Sequence, residues 1–368
     1  MSNPTENNTG TRPVAESHRF DIAALQAHLE HHLPGFAGPL SVEQFKGGQS
    51  NPTYKLITPA RTYVMRAKPG PAAKLLASAH AIEREYRVMG ALAGTAVPVA
   101  KMLLLCEDES VIGRAFFVME FVEGRLLWDQ SLPGMTPAER GALYDEMNRV
   151  IAALHSVDVA AAGLADYGKP GNFFARQIGR WTKQYQASIT EPIAEMDSLI
   201  AWLPAHMPAS AMDESQVAVV HGDFRMDNLI FHPTEPRVLA VLDWELSTLG
   251  HPLGDFSYHC MAWHIPPGTF RGIGGLDHAA LGIPSEREYV RRYCERTGRS
   301  GADAEVLMAD WNFYLAYNLF RLAAIAQGIA RRVVDGTASS AQARATGAAA
   351  RPLAELAWRF AKAAGASA

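Results

Sequence analysis

At 368 residues the chain is long for one compact core, so two lobes or domains are expected. An apolar content of 48% excludes a disordered chain, and a net charge of −4 with interspersed signs gives no global attraction to nucleic acid or a membrane surface. Cys106, Cys260 and Cys294 lie far apart without a CxxC pair, which leaves neither a disulfide framework nor a cysteine zinc site and fits a reducing, cytoplasmic setting.

The first seventeen residues are polar, without the apolar core of a secretory signal, and residues 1–20 are expected to form a disordered tail. Residues 21–33 predict a short helix ended by Pro34-Gly35. The stretch 40–70 reads as three short strands, broken at Gly47-Gly48 and turned at Thr58-Pro59-Ala60. A helix is expected over 72–93, with Leu75, Leu76, Ala79, Ile82, Tyr86, Met89 and Leu92 at helical spacing. Strands near 99–106 and 114–122 close a small β-rich lobe, so the boundaries expected are 21–122 for this lobe and 123–368 for a second, mainly helical one. The second opens with a helix over 136–158 that carries a capping-box pattern, Thr136…Glu139. Strand-like segments follow at 217–220, 229–231 and 238–242, and helices dominate from about 287. The greasy segment 307–330 carries Asp310, Asn312, Asn318 and Arg321, so it reads as a buried helix and not a membrane span.

Between the first two of those strands stands "HGDFRMDN", residues 221–228, and "VLDWE" follows the third. A polar β-turn around one satisfied aspartate is the plainer account, but it needs one or two such residues, not this set. Phosphoryl transfer does need them. One carboxylate orients the attacking hydroxyl and accepts its proton, a role that suits Asp223, and oxygen ligands hold Mg²⁺ against the nucleotide phosphates, a role that suits Asn228 and Asp243.

HxDxxxxN followed by a strand and DxE resembles the catalytic signature of the aminoglycoside phosphotransferase and choline kinase group. The resemblance implies an α+β, protein-kinase-like bilobal fold with a small β-rich N-lobe and a larger, mainly helical C-lobe. It also implies ATP and Mg²⁺ as cofactors, with a nucleotide and a small-molecule hydroxyl acceptor as partners and no nucleic acid or membrane. His221 stands in the HGD triplet that takes the place of the protein kinases' HRD, and Asp255, in "GHPLGDFSY", is implied as a brace for the catalytic loop. "FKGGQSNPTYKL" takes the place of a phosphate-covering loop, with Gly47 and Gly48 allowing close approach and Ser50 and Asn51 facing the phosphates. Arg66, in "YVMR", stands where such kinases hold a lysine, with Glu85 as its helix partner and Glu83 less apt. "FFVMEFVEG" resembles the interlobe hinge, placing adenine against backbone groups near Glu120 and Val122 with Met119 behind it.

The similarity runs over roughly residues 40–335 and resembles the kinase-like region of acyl-CoA dehydrogenase fusion proteins and their stand-alone bacterial relatives. It implies a hydroxyacyl-CoA as acceptor. Arg176, Arg180 and Lys183, spaced along one helical face, are the candidates for its phosphates, and a solvated face is the plainer account of them. "HCMAWHIPPGTFRGIGG" (259–275), with Trp263 and Phe270, is expected to wall the acceptor pocket, while His251, His259 and His264 suggest a metal cluster only superficially. The alternatives are a catalytically idle nucleotide-binding regulator and a kinase of another small acceptor, such as an aminoglycoside or an amino alcohol. A protein kinase is disfavoured, because no APE-terminated segment follows "DWE".

Overall fold

The computed structural model describes residues 9–46, 51–70, 81–169, 171–338 and 343–366. Gly47, Gly48 and Ser50 of the expected phosphate loop, and residues 71–80 of the expected helix, lie outside the described residues. The chain forms two compact units, and each is built from three separate stretches of sequence.

The first unit comprises residues 1–132, 158–165 and 221–247. Six strands, β1 (Thr11–Arg12), β2 (Ser41–Phe45), β3 (Thr53–Ile57), β4 (Thr62–Ala67), β5 (Met102–Cys106) and β6 (Phe116–Glu120), form an antiparallel sheet of order β1-β2-β3-β4-β6-β5. Helix α1 (Ile22–His32), N-capped by Asp21, lays Leu25 and Leu29 against Tyr54, Leu56, Met65, Phe116 and Val118. The central strand β4 is almost wholly buried, and alternation gives it two faces. Tyr63, Met65 and Ala67 join the α1 cluster, whereas Arg66 turns towards α2 (Ile82–Leu92), whose Glu85 it meets. A charge in a central strand persists only when it is paired.

Residues 9–20 are not the tail expected. Thr11 and Arg12 pair with Phe45 and Gln44, the Ala15 N–H donates to the Gln44 side-chain oxygen at 3.0 Å, and the Tyr54 hydroxyl donates to the His18 carbonyl at 3.1 Å. Polar composition hid them, because an edge strand needs backbone partners more than apolar side chains.

A second sheet in this unit joins β7 (Arg125–Leu126), β9 (Leu229–Phe231) and β10 (Val238–Val241) in the order β10-β9-β7. Gly124 is required at that junction, since a Cβ there would lie 2.3 Å from the Phe231 carbonyl oxygen. Segment 221–247 therefore packs with the β-rich part of the chain, and the compact units do not follow the split expected at residue 122. The reason is non-local: Val241 N–H donates to Pro98 O at 2.9 Å, and ion pairs described below tie β10 to β4.

The second unit comprises residues 133–157, 166–220 and 248–368 and is mainly helical. Strands β8 (Ala218–Val220) and β11 (Thr248–Gly250) pair, and the main helices are α3 (Pro137–His155), α4 (Phe173–Ser188), α5 (Ala194–Ala205), α6 (Pro252–Cys260), α7 (Glu286–Arg296), α8 (Gly301–Val334) and α9 (Ala350–Ala363). The Thr136/Glu139 capping box opens α3 as expected. Helix α8 spans the expected 307–330 and more, with Trp311, Tyr314, Tyr317 and Phe320 buried. Among the described residues no helix is long and apolar enough to cross a membrane.

Candidate active site

The loop 221–228 is shaped by its own backbone. Gly222 has φ +83°, and a Cβ there would sit 2.9 Å from the Leu246 carbonyl oxygen, so the position demands glycine. The Asp223 N–H donates to His221 Nδ1 at 3.2 Å, which leaves the proton on Nε2; that nitrogen donates to the Leu242 carbonyl at 2.8 Å. The Leu242 N–H in turn donates to the Asn228 carbonyl at 2.8 Å. His221, fully buried, thus pins the loop to the end of β10.

Asp223 is fixed from two sides. The Asn228 amide donates to its carbonyl at 2.9 Å and to Oδ2 at 3.2 Å. Arg225 Nη2 donates to Oδ2 at 3.0 Å, while its Nε lies at ion-pair range, 3.0 Å from Oδ1. Asn228 thereby turns its amide nitrogen to Asp223, and its Oδ1 has no hydrogen-bond partner among the described residues. Asp243 follows β10 in the left-handed region, φ +65°, a conformation that a non-glycine residue holds only when its surroundings fix it.

What fixes Asp243 is Arg66. Its Nη2 donates to Asp243 Oδ1 at 2.8 Å and to Glu245 Oε2 at 3.2 Å, and its Nε lies 3.1 and 3.2 Å from the two oxygens of Glu85. Burial works against the guanidinium's charge, but Glu85, Asp243 and Glu245 together outweigh it and raise its pKa. Burial likewise holds the Glu85 carboxyl above the usual carboxylate range, with Arg66 acting in the opposite direction. Asp243 Oδ2 is left without a partner among the described residues. Asn228 Oδ1 and Asp243 Oδ2 are hard oxygen donors of the kind that suit Mg²⁺, so the donor set fits the expected metal.

The expected Arg66–Glu85 pair is therefore present, and Glu83 pairs instead with Lys68 at 3.2 Å. Asn51, expected at the phosphates, lies beside the Arg66–Glu85 pair. It is fully buried and its amide donates to Glu85 at 3.1 Å, so it braces the ion pair. Met119 is buried at the end of β6. The Glu120 N–H donates to Lys101 O at 3.0 Å and its carboxylate accepts from the Lys101 N–H at 2.9 Å, while Val122 lies in the coil beyond. Two residues the sequence reading passed over join the site, Arg225 and Glu245. The signal for both was their position inside "HGDFRMDN" and "DWE".

Other expected residues belong to the second unit. Asp255 is buried on α6, 3.3 Å from His155 Nε2, whose Nδ1 meets the Tyr293 hydroxyl at 2.8 Å. Arg176, Arg180 and Lys183 are exposed on α4; Arg176 donates to the Lys169 carbonyl and Arg180 stacks on Trp181. Trp263 is buried against Tyr144 and Tyr289, with its Nε1–H on Pro284 O. The three histidines have separate partners: His251 on Ser210 O, His259 on the Tyr289 hydroxyl and His264 on Glu286.

The phosphotransferase enzyme family model matches residues 41–296. Mouse acyl-CoA dehydrogenase family member 10 is 47% identical over 358 residues, which is 95% of this chain and 32% of that protein, so the chain spans about a third of that relative's length. A crystal structure from Ralstonia eutropha, solved under a provisional aminoglycoside phosphotransferase assignment, is 68% identical with a TM-score of 0.84 and covers 94% of this chain and 99% of its own. A thermostable mutant of aminoglycoside phosphotransferase APH(4)-Ia, in ternary complex with ADP and hygromycin B, has a TM-score of 0.59 at 16% identity and covers 93% of this chain and 99% of its own. The protein-kinase-like fold expected, with a β-sheet lobe and a helical lobe, is the fold found.

Proposed function

The chain belongs to the phosphotransferase enzyme family and is a phosphotransferase with an alcohol group as acceptor, and on that premise we propose that its donor is ATP with Mg²⁺ and its acceptor a hydroxyacyl-CoA. The observation that carries the donor half is one continuous bonded run within the first unit. It goes from Asp223 to Asn228, through the Leu242 backbone to Asp243, and on to Arg66 and Glu85.

In this reading Asp223 accepts the proton of the attacking hydroxyl, and Arg225 and Asn228 hold its carboxylate in one orientation for that purpose. Asn228 Oδ1 and Asp243 Oδ2 would hold the cation, and Arg66 contacts the nucleotide phosphates. A cation held by Asn228 and Asp243 would supply positive charge to offset that of the phosphates. The ADP-bound relative supports an adenine nucleotide.

The acceptor half rests on the acyl-CoA dehydrogenase relatives and on the exposed Arg176, Arg180 and Lys183 face. Phosphorylating a hydroxyl of such a thioester turns a poor leaving group into a good one. The Ralstonia structure's assignment favours an aminoglycoside instead, and a screen of hydroxyacyl-CoAs against aminoglycosides for ATP-dependent phosphorylation separates the two. Asp223→Asn keeps the size of the group and removes its proton-accepting charge. Turnover should fall at least about a hundredfold with nucleotide affinity nearly intact. Turnover within about tenfold of wild type would refute the base assignment.

A further inference from the structure

Arg66 is the one guanidinium at this site that meets carboxylates from three elements: Glu85 on α2, Asp243 after β10, and Glu245 in the turn that follows. An arginine has five N–H groups. Nε–H is taken by Glu85, and the two of Nη2 by Asp243 and Glu245. Nη1 bonds to none of the described residues, so its two donors remain for a ligand. The clamp sets one positive charge against three negative ones, which repels a bare phosphate and favours a phosphate that arrives with its cation.

Arg66 meets Asp243 through Oδ1 alone, and a cation held by Oδ2 would draw that carboxylate's charge away from the guanidinium. Nη2 would then be held less strongly at its 2.8 Å partner, leaving the guanidinium freer to turn about the Nε anchor. Glu245, 3.2 Å away on the same nitrogen and little exposed, is placed to retain it. We infer that Glu245 is a positioning residue: it holds Arg66 where an Asp243 shared with a cation holds it less strongly, and keeps Nη1 aimed at the nucleotide phosphate. The inference rests on the nucleotide reading above. It also gives a reason for arginine at this position, because a lysine ammonium is a single point that cannot hold two anchors and present a third nitrogen.

The test is binding of ADP to the full chain by titration calorimetry in Mg²⁺, with Glu245→Gln, Arg66→Met and the double variant, and thermal melts to verify folding. Glu245→Gln should weaken ADP about tenfold, the worth of one charge-assisted hydrogen bond. In the Arg66→Met background the same change should cost nothing further, because its target is gone. If Arg66→Met does not fold, Arg66→Lys replaces it, and Glu245→Gln should then cost clearly less than in wild type. An equal loss in both backgrounds would assign Glu245 to the cation itself and overturn the inference, as would no loss in the single variant. If wild type binds no ADP in Mg²⁺, the nucleotide reading falls first and the inference falls with it.

Discussion

His251 caps the N-terminus of α6, its Nδ1 accepting from the Leu253 N–H at 3.2 Å and its Nε2 donating to Ser210 O at 2.9 Å. The Nδ1 bond needs the neutral ring, and burial pushes its pKa down to about 4 from 6.5. Unfolded chains bind that proton from about pH 6.5 downward and the folded state does not, so stability present at pH 7 is lost as pH falls from 6.5 towards 4. Between pH 7 and pH 5 the loss should be about 2 kcal/mol. His251→Asn keeps a capping oxygen and removes the titration. Urea unfolding at the two pH values should therefore separate less in the variant than in wild type, and equal separations would refute this account. Elsewhere at this scale, Gly222 and Asp243 show how a single backbone conformation decides a role. The motif announced both residues, but only the positive φ values explain why one must be glycine and why the other is held so firmly by Arg66.

Helix α8 is the longest element, and its middle is fastened to α6 by one amide. Asn318, fully buried, donates to the Gly254 carbonyl at 3.1 Å and to the Ser257 hydroxyl at 2.7 Å. Asn318→Ala removes the donor, leaves both acceptors buried, and opens a small void. It should cost about 2–4 kcal/mol in chemical denaturation, well above an ordinary surface change. A cost under about 0.5 kcal/mol would mean that another group satisfies those oxygens. The apolar spacing of 307–330 foretold the helix and its burial. It could not foretell which of the polar residues inside it faced a partner, since that depends on which helix lies alongside.

The chain's two compact units divide the proposed work. The Asp223, Asn228, Asp243, Arg66 and Glu85 network lies wholly in the first, and the Arg176, Arg180, Lys183 face lies in the second. If that face binds the phosphates of a CoA acceptor, Arg176→Glu with Arg180→Glu should raise KM for a hydroxyacyl-CoA about tenfold or more. KM for ATP should not move, and a truncated hydroxyacyl thioester lacking the nucleotide should respond far less. Equal responses from the two acceptors would reduce the stripe to a solvated face.

The sequence by itself determined the family, the kinase-like fold, most element positions and the cluster of polar residues around 221–228 and 243–245. The elements follow from local spacing, periodicity of two or 3.6 and capping residues, whereas the family and the fold were implied by the resemblance carried by a motif whose members sit within a few positions of each other. Only the tertiary structure decided that Asp243 and Glu245 share Arg66 with the expected Glu85, since they meet it across 177 and 179 residues of sequence. It likewise buried Asn51 against Glu85, and gathered 221–247 into the β-rich unit. Pairings of that kind are set by which strands and helices pack together, and composition and spacing along a chain carry no record of it.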